Sequence, residues 1–451
     1  MALKTLHLTN SWHETSGGIA TFYRALMTAA NQRGHYMRLV VPGETDSVED
    51  VGEFARIYHV KSPPSRFNPA YRTMYPAQYL SRAGRVRQIL AAERPAVVEI
   101  CDKYTLNYLG VLLRRNLLPS LDFHPVVLGL SCERMDDNFR TYIGRLPFAS
   151  GFCAAYMKWL YFPFFDHHIA NSEYTAGELC AASQGQMVRR NIWIEPMGVD
   201  LEHLSPGRRS RERRQSLVQR AGGNDESVLL LYAGRLAPEK HLSTLFDLIA
   251  RLAGSDKRDF RLLVAGDGIE RAHWEEFCER NAHGRVAFLG HIRNPGDLAD
   301  LYANADIFVH PNPHEPFGIA PLEAMASGLP LVAPDRGGVT SYATPANAWP
   351  APATVESFAA AVEDLLANES ERKRRTNAAL ETAAAFRWDR VAPSFLDRYA
   401  ALAGASIDSG AALPPPAFSS TPATGIQLAV SRGVSRSAEK VFQLAAALFS
   451  R

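Results

Sequence analysis

The sequence lacks several patterns that would assign it to a protein class at once. It contains no CxxC pair, and its five cysteines are an odd number, which argues against both a disulfide scaffold and a zinc knuckle. It contains neither the P-loop pattern GxxxxGK[ST] nor the dinucleotide fingerprint GxGxxG, so neither phosphate-binding motif is supported. The formal net charge is only +2, which gives no overall signature for a nucleic-acid partner.

Long hydrophobic runs are also missing. The chain begins with MALKTLHLTN, which passes directly into a strand-like alternation without the apolar core of a signal peptide. The most apolar aromatic stretch, residues 151–165, is too short to span a bilayer and is interrupted by Lys158 and Pro163. We therefore expect a reducing, cytoplasmic compartment. Two interpretations of the aromatic stretch stay open: a buried helix, or a surface that contacts a membrane or a lipid-linked acceptor.

The composition is typical of a globular enzyme, with 46% hydrophobic and 21% charged residues. A chain of 451 residues exceeds what one hydrophobic core usually organises, so two domains of roughly 150 to 200 residues are expected. A cleft between two such domains is a common place for a ligand.

Short β-rich runs alternate with longer helical patterns twice along the chain. This alternation predicts an α/β protein of two Rossmann-like, doubly wound domains. We place the first domain at residues 1–205 and the second at 206–385, because a polar, arginine-rich break separates the two patterns. A closing helix over 386–404 is expected to return toward the first domain, and residues 405–451 are predicted to form a proline-rich linker and an amphipathic tail.

Two further segments each have a simple and a functional interpretation. Residues 435–451 place apolar side chains on one helical face with basic residues nearby. This pattern suits a membrane surface or a partner protein, but also a terminal helix packed on its own protein. The arginine run 208–214 suits phosphate, but a solvated helix face is the simpler prediction, so we expect no nucleic-acid partner.

The segment HEPFGIAPLEAMASGLPLVA contains two glutamates separated by seven residues. Glu315 and Glu323 could form an acid/base pair, or each could hold a different part of one ligand. Pro321 fits the first position of a helix, because its missing N–H needs no partner there, and Gly328 fits the end. The predicted helix over 321–327 places Glu323 in its first turn and Glu315 in the loop before it, which separates the two carboxylates.

The start of this helix also suits an anion. Unpaired backbone N–H groups near Gly318, Ile319 and Ala320 would attract a phosphate, and a glycine lets the backbone approach the ligand closely. Two carboxylates beside such a site are unfavourable unless they accept hydrogen bonds from hydroxyl groups. Sugar and ribose hydroxyls are the obvious donors.

Two cations follow a strand in YAGRLAPEKH. Arg235 can hold a diphosphate bidentately and Lys240 can act as a compact point charge, although each alone could equally be a solvated surface cation. The Gly17–Gly18 pair between the first strand and the first helix, and Gly266 in LLVAGDGIE, are weaker signals, because either could be only a tight turn.

Together these motifs resemble a known family. GGIA near the start, GR-x4-K at 234–240, AGDG at 265–268 and above all E-x7-E in EPFGIAPLE are similar, in order and spacing, to the retaining GT-B type glycosyltransferases of family 4. The resemblance runs from the start of the sequence to the closing helix. It implies two Rossmann-like domains facing across a cleft, with a nucleotide-sugar donor held mainly by the second.

The resemblance also implies roles for the motif residues. Arg235 and Lys240 would neutralise the diphosphate leaving group, and Gly17 and Gly18 would approach it from the first domain. With these two cations, Glu315 completes the predicted catalytic group by holding the hydroxyls of the donor sugar.

Further donor contacts follow from the same motifs. Glu323 would bind the nucleotide ribose, and the backbone from Phe317 through Gly318 to Ile319 would support sugar and phosphate. Gly266 and residues 310–312 would lie near the base.

The sequence contains no Asp-x-Asp of the kind that carries a divalent ion in the other large glycosyltransferase fold. We therefore expect no metal ion and no cofactor, and a GDP- or UDP-sugar as co-substrate. Preorganised cations and a helix N-terminus would stabilise the departing diphosphate. The resemblance implies retention of the anomeric configuration. A front-face mechanism, in which the leaving phosphate accepts the acceptor's proton, needs no pair of carboxylates like that of glycosidases.

The chain departs from the family in the first domain. Many relatives carry a histidine after the strand that here continues as PVVLGLSCERMDD, and this chain has Cys132 in its place. Cys132 is then a weaker substitute, a specificity feature or a sign of reduced activity. Glu133, Asp136 and Asp102 are, with Cys132, the candidates for the acceptor side of the cleft, although polar residues at strand ends would look the same.

We therefore predict a retaining, metal-independent glycosyltransferase that moves a hexose, mannose or glucose favoured, to a glycan or glycolipid acceptor. Two alternatives stay open: a nucleotide-sugar epimerase or sugar phosphorylase on the same fold, and a non-catalytic nucleotide-sugar-binding protein. The expected location is the cytoplasm, with peripheral contact at the inner face of the membrane as a further expectation.

Overall fold

The structure is a computed structural model, which describes residues 3–12, 17–65, 71–142, 149–183, 191–254 and 258–407. The proline-rich linker and amphipathic tail expected at 405–451 lie outside the described residues from 408 onward. Within the described part of the chain, no helix is both long enough and apolar enough to cross a membrane.

The first half of the chain builds one sheet. Its strands within the described residues are β1 (Lys4–Thr9), β2 (Tyr36–Gly43), β3 (Ser47–Val51), β4 (Ala55–Lys61), β5 (Val97–Cys101), β6 (Val126–Ser131), β7 (His167–Ala170) and β8 (Ile192–Ile194). Their spatial order is β3-β4-β2-β1-β5-β6-β7-β8. All neighbours are parallel except the edge pair β3 and β4.

The second half builds a separate, fully parallel sheet. Its strands within the described residues are β9 (Val228–Ala233), β10 (Phe260–Ala265), β11 (Val286–Gly290), β12 (Ile307–Val309), β13 (Leu331–Pro334) and β14 (Trp349–Ala351). Their spatial order is β11-β10-β9-β12-β13-β14. The strands β9, β12 and β13 are continuous buried apolar runs, as expected for a parallel sheet that helices cover on both faces.

Helices connect the strands of both sheets. The described helices are α1 (Gly18–Arg33), α2 (Ala77–Leu80), α3 (Arg85–Glu93), α4 (Asn107–Arg114), α5 (Met135–Tyr142), α6 (Ala149–Tyr156), α7 (Glu173–Ser183), α8 (Arg211–Arg220), α9 (Leu242–Ala253), α10 (Arg271–Asn281), α11 (Pro295–Asn304), α12 (Ile319–Ala326), α13 (Val355–Ala367), α14 (Glu369–Ala385) and α15 (Trp388–Ile407). The alternation of strands and helices confirms the predicted α/β class.

Each sheet has a point at which the strand order reverses. In the first sheet the chain moves from β1 to β2 on one side and later to β5 on the other, and in the second sheet β9 lies between β10 and β12. Ligands of open α/β sheets bind beyond the carboxyl ends of the strands at such points. The loops after β1 and β5, and those after β9 and β12, are therefore the places where a ligand is expected.

The last helix returns to the first sheet. α15 packs against α1, and Tyr399 on α15 donates a hydrogen bond to the buried carboxylate of Glu99 on β5. Arg398 Nε lies 3.0 Å from Glu195 Oε1, just after β8. These buried polar contacts attach α15 to the first domain.

The two chain segments that connect the domains run side by side. The backbone N–H of Val199 donates to Phe386 O at 2.8 Å, and that of Trp388 donates to Val199 O at 3.2 Å. A Cβ atom on Gly198 would lie 2.5 Å from the Trp388 ring, so only glycine leaves room for this aromatic side chain.

The aromatic stretch 151–165 contributes largely to the core of the first domain. α6 continues into a π-helical turn (Met157–Tyr161), and Leu160, Tyr161 and Phe165 are buried. The buried-helix interpretation therefore accounts for several of its large side chains. Contact of the partly exposed ones with a membrane or an acceptor stays a prediction.

Several arginines of the run 208–214 form ion pairs, so the run is more than the solvated helix face that we predicted. Arg208 and Arg213 each lie 2.7 Å from Asp300 Oδ1 on α11, and Arg214 lies 2.9 Å from Asp306 Oδ2. The run therefore forms ion pairs that fix the interdomain segment to the second domain, although several of its side chains stay partly exposed.

Candidate active site

Two helix N-termini meet across the cleft between the domains. α1 begins at Gly18 and α12 begins at Ile319, and a Cβ atom on Gly18 would lie only 3.2 Å from Cδ1 of Ile319. The position before α1 is Gly17, where a Cβ atom would meet nothing within 4 Å. Because the first N–H groups of a helix have no intrahelical partners, this meeting point attracts an anion.

The start of α12 differs from the prediction by two residues. Gly318 stands before the helix with a φ of +88°, which favours glycine. Pro321 is the third helical residue and not the first. Proline is tolerated there because the third N–H also lacks an intrahelical partner. Glu323 consequently lies in the second turn. The helix ends at Ala326, one residue before the predicted end, and Gly328 follows with a φ of +67°.

Glu315 is held by a cation and by an amide of the second domain. Lys240 Nζ lies 2.9 and 3.1 Å from its two oxygens, and Asn312 Nδ2 donates to Oε2 at 3.0 Å. Burial alone would raise the pKa of Glu315, but Lys240 and His310, with the hydrogen bonds, lower this pKa to about 2. Glu315 is therefore an ionised hydrogen-bond acceptor at neutral pH and cannot serve as a proton donor.

His310 lies beside this pair, with Nε2 at 3.7 Å from Glu315 Oε2. Burial lowers the pKa of His310 to about 4, so its ring is neutral. Neither ring nitrogen has a hydrogen-bond partner among the described residues. Residues 310–312, which we predicted near the base, therefore lie against Glu315, the residue predicted to hold the sugar.

Arg235 contacts both domains. Its Nη1 donates to Tyr71 Oη of the first domain at 3.1 Å, and its Nη2 lies 2.8 Å from Glu239 Oε1. Tyr142, also from the first domain, donates from Oη to Glu239 Oε2 at 2.6 Å. Both cations predicted for a diphosphate, Arg235 and Lys240, are thus paired with carboxylates of the same chain.

Glu323 is held inside the second domain. Tyr302 on α11 donates from Oη to Glu323 Oε2 at 2.7 Å. Burial raises the pKa of Glu323, against the opposite effect of this hydrogen bond. The two glutamates of the E-x7-E motif therefore differ in environment: Glu315 is paired with a cation, and Glu323 is paired with a neutral hydroxyl.

Glycines allow the loops of the second domain to pack backbone on backbone. A Cβ atom on Gly266, whose φ is +151°, would lie 1.8 Å from Gly234 O, and one on Gly268 would lie 2.2 Å from Leu236 O. A Cβ atom on Gly338 would lie 1.8 Å from Pro316 O. Gly266 therefore supports the loop that carries Arg235, and Gly338 supports the loop that carries Glu315. No motif in the sequence marked Gly338 as a residue of the site.

Phe317 points into the core, where its ring packs against Tyr342 and Phe386 at centroid distances of 5.2 and 6.1 Å. Only its backbone can therefore face a ligand, and the predicted contact of this backbone with the donor stays a prediction. The neighbouring carbonyl of Pro316 accepts a hydrogen bond from Ser172 Oγ of the first domain.

Asp102 has a structural task at the end of β5. Its Oδ1 accepts hydrogen bonds from the backbone N–H groups of Tyr104, Thr105 and Leu106, at 3.0, 2.7 and 2.7 Å. Its Oδ2 accepts from Asn10 Nδ2 at 3.1 Å. Asp102 thus fixes the loop at the reversal point of the first sheet.

The other acidic candidates of the first domain are also engaged. Burial raises the pKa of Glu133, whose Oε2 accepts from Asn138 Nδ2 at 2.9 Å. Asp136 forms a two-point pair with Arg134, at 2.7 and 3.0 Å. A raised pKa in a buried carboxyl is typical of functional sites but also of ion-pair networks. Compared with Asp102 and Asp136, Glu133 is therefore the better candidate for the acceptor side.

Cys132 follows β6 and is partly buried. A hydrogen bond with the thiol of Cys101, together with burial, raises the pKa of Cys132 well above its usual value. The neutral thiol therefore cannot supply the charge or the two-sided hydrogen bonding of an imidazole.

Three residues that the sequence motifs do not indicate connect the domains beside Glu315. Tyr174 donates a hydrogen bond to the carboxylate of Asp137, and His314 Nδ1 lies 3.0 Å from Tyr174 Oη and 3.1 Å from Asp137 Oδ1. Asp137 is adjacent to the predicted Asp136, and His314 is adjacent to Glu315. Their proximity to predicted residues was the only signal available in the sequence.

Within the described part of the chain, no group of three or more His, Cys, Asp and Glu side chains is placed to hold a metal ion. Metal independence stays a prediction.

Comparisons with known proteins agree with this architecture. Residues 16–203 match the family model described as Glycosyltransferase Family 4, and residues 214–382 match the model described as Glycosyl transferases group 1. The fold is similar to that of sucrose-phosphate synthase from Thermosynechococcus elongatus, with a TM-score of 0.70 and 19% identity over 89% of this chain and 100% of that one. It is also similar to that of WaaG, a glycosyltransferase involved in lipopolysaccharide biosynthesis, with a TM-score of 0.62 and 16% identity over 88% and 99%.

Two mycobacterial relatives match nearly their whole length. The chain is 28% identical to the GDP-mannose-dependent alpha-(1-6)-phosphatidylinositol dimannoside mannosyltransferase of Mycobacterium tuberculosis, over 89% of this chain and 97% of the relative. It is 29% identical to the GDP-mannose-dependent alpha-mannosyltransferase of the same species, over 86% and 93%.

The two facing sheets and the matching models define a glycosyltransferase of the GT-B type. Within that class the chain belongs to glycosyltransferase family 4.

Proposed function

We propose that this enzyme transfers a mannose from GDP-mannose to a glycan or glycolipid acceptor, without a metal ion and with retention of the anomeric configuration. The observation that carries the proposal is the cluster at the reversal point of the second sheet. There Arg235, Lys240 and Glu315 lie beside the N-terminus of α12.

The diphosphate of the donor would lie between the two cations and the N-terminus of α12. The first domain adds the N-terminus of α1, and Gly17 and Gly18 leave space for the phosphates because they carry no side chains. Fixed cations and oriented N–H groups stabilise the charge that develops on a departing diphosphate. This arrangement supports departure of the leaving group without a protein acid.

The two glutamates would hold hydroxyls at the two ends of the donor. Glu315 is ionised and suits the hydroxyls of the sugar, and Glu323 in the second turn of α12 suits those of the ribose. The low pKa of Glu315 argues against an acid/base role and supports the front-face mechanism, in which the leaving phosphate accepts the acceptor's proton.

The choice of donor rests on the relatives. Two relatives matched over more than nine tenths of their length are named for GDP-mannose, which favours mannose over glucose and guanosine over uridine. One of them is named for a phosphatidylinositol dimannoside acceptor. This supports a lipid-linked acceptor for the present enzyme and, with it, peripheral association with a membrane.

The acceptor would enter from the first domain. Glu133, with its raised pKa, and the adjacent Asn138 can bind an acceptor hydroxyl, whereas Asp102 and Asp136 are occupied by structural contacts. Cys132 lines the same side as a neutral, compact side chain, which leaves more space than an imidazole would.

A donor panel tests the proposal. The purified enzyme is incubated with GDP-mannose, GDP-glucose, UDP-glucose and UDP-galactose, each with EDTA, in the presence of a phosphatidylinositol mannoside dispersed in detergent. We expect the fastest release of the nucleoside diphosphate from GDP-mannose, and an α-mannosyl product by proton NMR. Interconversion of the donor sugars without transfer would support an epimerase. Binding without turnover of any donor would support a non-catalytic protein.

A further inference from the structure

Glu239 lies at the proposed donor site but has no assigned role. It is not part of the E-x7-E motif, and it is not among the proposed donor contacts. It lies between the two predicted diphosphate cations in the sequence and forms an ion pair with the first of them, Arg235. A diphosphate that binds Arg235 must therefore compete with a carboxylate that the protein itself supplies.

We propose that Glu239 is an exchangeable counterion of Arg235, which the donor diphosphate displaces, and that the hydroxyl of Tyr142 holds Glu239 in place after the exchange. This inference rests on the proposed function, because it takes Arg235 as a ligand of the diphosphate.

The contact between Glu239 and Arg235 is suited to exchange. Arg235 Nη2 and Glu239 Oε1 are 2.8 Å apart, yet Oε1 accepts no hydrogen bond from any described residue, because the guanidinium N–H groups are not directed at it. The pair is therefore held by charge and not by the two-point geometry that makes arginine–carboxylate pairs strong. A phosphate can offer that geometry to the same guanidinium.

The two partners differ in their freedom to move. The Arg235 side chain is 42% exposed and that of Glu239 is 17% exposed. Glu239 belongs to the 3-10 turn Pro238–Lys240, so its backbone is fixed next to the second cation. Exchange therefore requires the exposed guanidinium to turn, while the carboxylate stays where it is.

Tyr142 supplies the bond that Glu239 keeps. Its Oη donates to Glu239 Oε2 at 2.6 Å, whereas the 2.8 Å contact of Arg235 is to the other oxygen, Oε1. Leaving a partly buried carboxylate without any hydrogen-bond partner would cost free energy. The tyrosine hydroxyl lowers that cost and so favours release of Arg235. The bond crosses the cleft, so the first domain influences the charge available to the donor.

The exchange changes the net charge that the donor diphosphate meets. Arg235 and Lys240 are balanced by Glu239 and Glu315, so the diphosphate meets no net positive charge from these four side chains. Removing the charge of Glu239 leaves the guanidinium uncompensated, and a nearby anion is then attracted more strongly. Removing the hydroxyl of Tyr142 takes away the hydrogen bond that would hold Glu239 after the exchange, so Glu239 depends more on Arg235, and the effect is the opposite.

The two substitutions therefore change donor affinity in opposite directions. We expect Glu239→Gln to bind GDP about tenfold more tightly than the wild type, and Tyr142→Phe to bind it about threefold more weakly. In the double variant the effect of Tyr142→Phe should vanish, because the charge on which the hydroxyl acts is gone. Titration calorimetry of GDP, with UDP as a second probe, measures all four proteins.

Matched controls are Glu279→Gln, which removes an exposed carboxylate of α10 that pairs with His283, and Tyr36→Phe, which removes the hydroxyl of a partly exposed tyrosine at the start of β2. Both should bind GDP as the wild type does. Glu239→Gln with equal or weaker binding overturns the inference, and so does a Tyr142→Phe effect that persists in the Glu239→Gln background, since it would show that Tyr142 only joins the domains. A wild type that binds neither GDP nor UDP would instead contradict the proposed function.

Discussion

Fixed charge governs the chemistry of single residues in this site. Glu315 is ionised because Lys240 compensates it, and His310 is neutral because it is buried. Neither side chain changes its charge near neutral pH. A leaving group that is stabilised by such preorganised charges needs no rearrangement at the moment of reaction, and this favours departure of a diphosphate over proton transfer by a side chain.

The kcat/KM for the donor should depend on the side chains proposed to hold its diphosphate and its ribose. Arg235→Ala removes a cation that is predicted to bind the diphosphate, and Glu323→Ala removes the predicted ribose contact. Each substitution should therefore lower kcat/KM for GDP-mannose by at least about tenfold. Steady-state kinetics measures both. Arg280→Ala, an exposed arginine of α10, is the control, and wild-type kinetics in the two site variants would contradict the assignment.

The ion pair of Glu315 should also appear in the pH dependence of stability. Its pKa is lower in the folded protein, about 2, than the ordinary value of 4.5. The ionised form therefore stabilises the fold fully above about pH 4.5, and this contribution is lost as the pH falls toward 2. Glu315→Gln should lower the free energy of unfolding by roughly 2 to 4 kcal/mol at pH 7, and by less at pH 3.

Urea denaturation at the two pH values measures this difference, with the exposed Glu276→Gln as the control. A deficit of equal size at pH 7 and pH 3 would show that the charge of Glu315 does not contribute.

Cys132 should tolerate replacement by the histidine that many family members carry. The residue packs against the core of the first domain but is only partly buried, so part of an imidazole can extend out of the core. We expect Cys132→His to fold and to retain turnover within about threefold of the wild type. Kinetics and thermal melting check this. An unfolded or inactive Cys132→His, alongside a normal Cys132→Ala, would mean that the cysteine is a packed core residue.

At the scale of elements, the glycines after the strands decide whether the site can form. The loop after β9 carries Arg235 and lies directly on the loop after β10, with Gly234 N donating to Ala265 O at 2.9 Å. No side chain fits between these two backbones. The packing of loops therefore fixes the cation relative to the N-terminus of α12.

Gly266→Ala should consequently disrupt the second domain, because its Cβ atom would lie 1.8 Å from Gly234 O at a φ of +151°. We expect a loss of more than about 3 kcal/mol in the free energy of unfolding. Gly254→Ala is the matched control, since its nearest neighbour would be at 3.6 Å and it ends α9. Equal stabilities of the two variants by urea denaturation would refute this account of the AGDG motif.

The elements of the fold were predictable because strand and helix periods alternate clearly and the turns are marked by glycine and proline. The start of α12 was not, because proline is compatible with each of the first helical positions, and only the positive φ of Gly318 selects among them. Tyr71 and Tyr142 could not be found either, since no local pattern marks a tyrosine that meets Arg235 or Glu239 from another domain.

At the scale of the whole molecule, contacts between the domains surround the proposed donor site. Tyr71, Ser172 and Tyr174 of the first domain contact Arg235, Pro316 and His314 of the second. α15 holds the end of the second domain against the first sheet through Tyr399 and Glu99. The position of the domains therefore controls the geometry of the donor site.

Asp137→Asn tests this dependence. The substitution removes the charge that faces His314 at 3.1 Å, so the loop carrying Glu315 should be held less firmly against the first domain. We expect kcat/KM for GDP-mannose to fall by about tenfold with little change in the stability of either domain. Steady-state kinetics measures kcat/KM, and small-angle scattering measures the arrangement of the domains. The exposed Asp122→Asn is the control. A normal kcat/KM in Asp137→Asn would show that the contact does not serve the donor site.

The most direct test of the central claim is the release of GDP from GDP-mannose, with EDTA present, by the wild type and by Glu315→Gln. We expect the wild type to release GDP and the variant to do so at less than about one hundredth of that rate, because the ionised carboxylate proposed to hold the sugar is lost. Equal rates in the two proteins, or a wild type that EDTA silences, would contradict it.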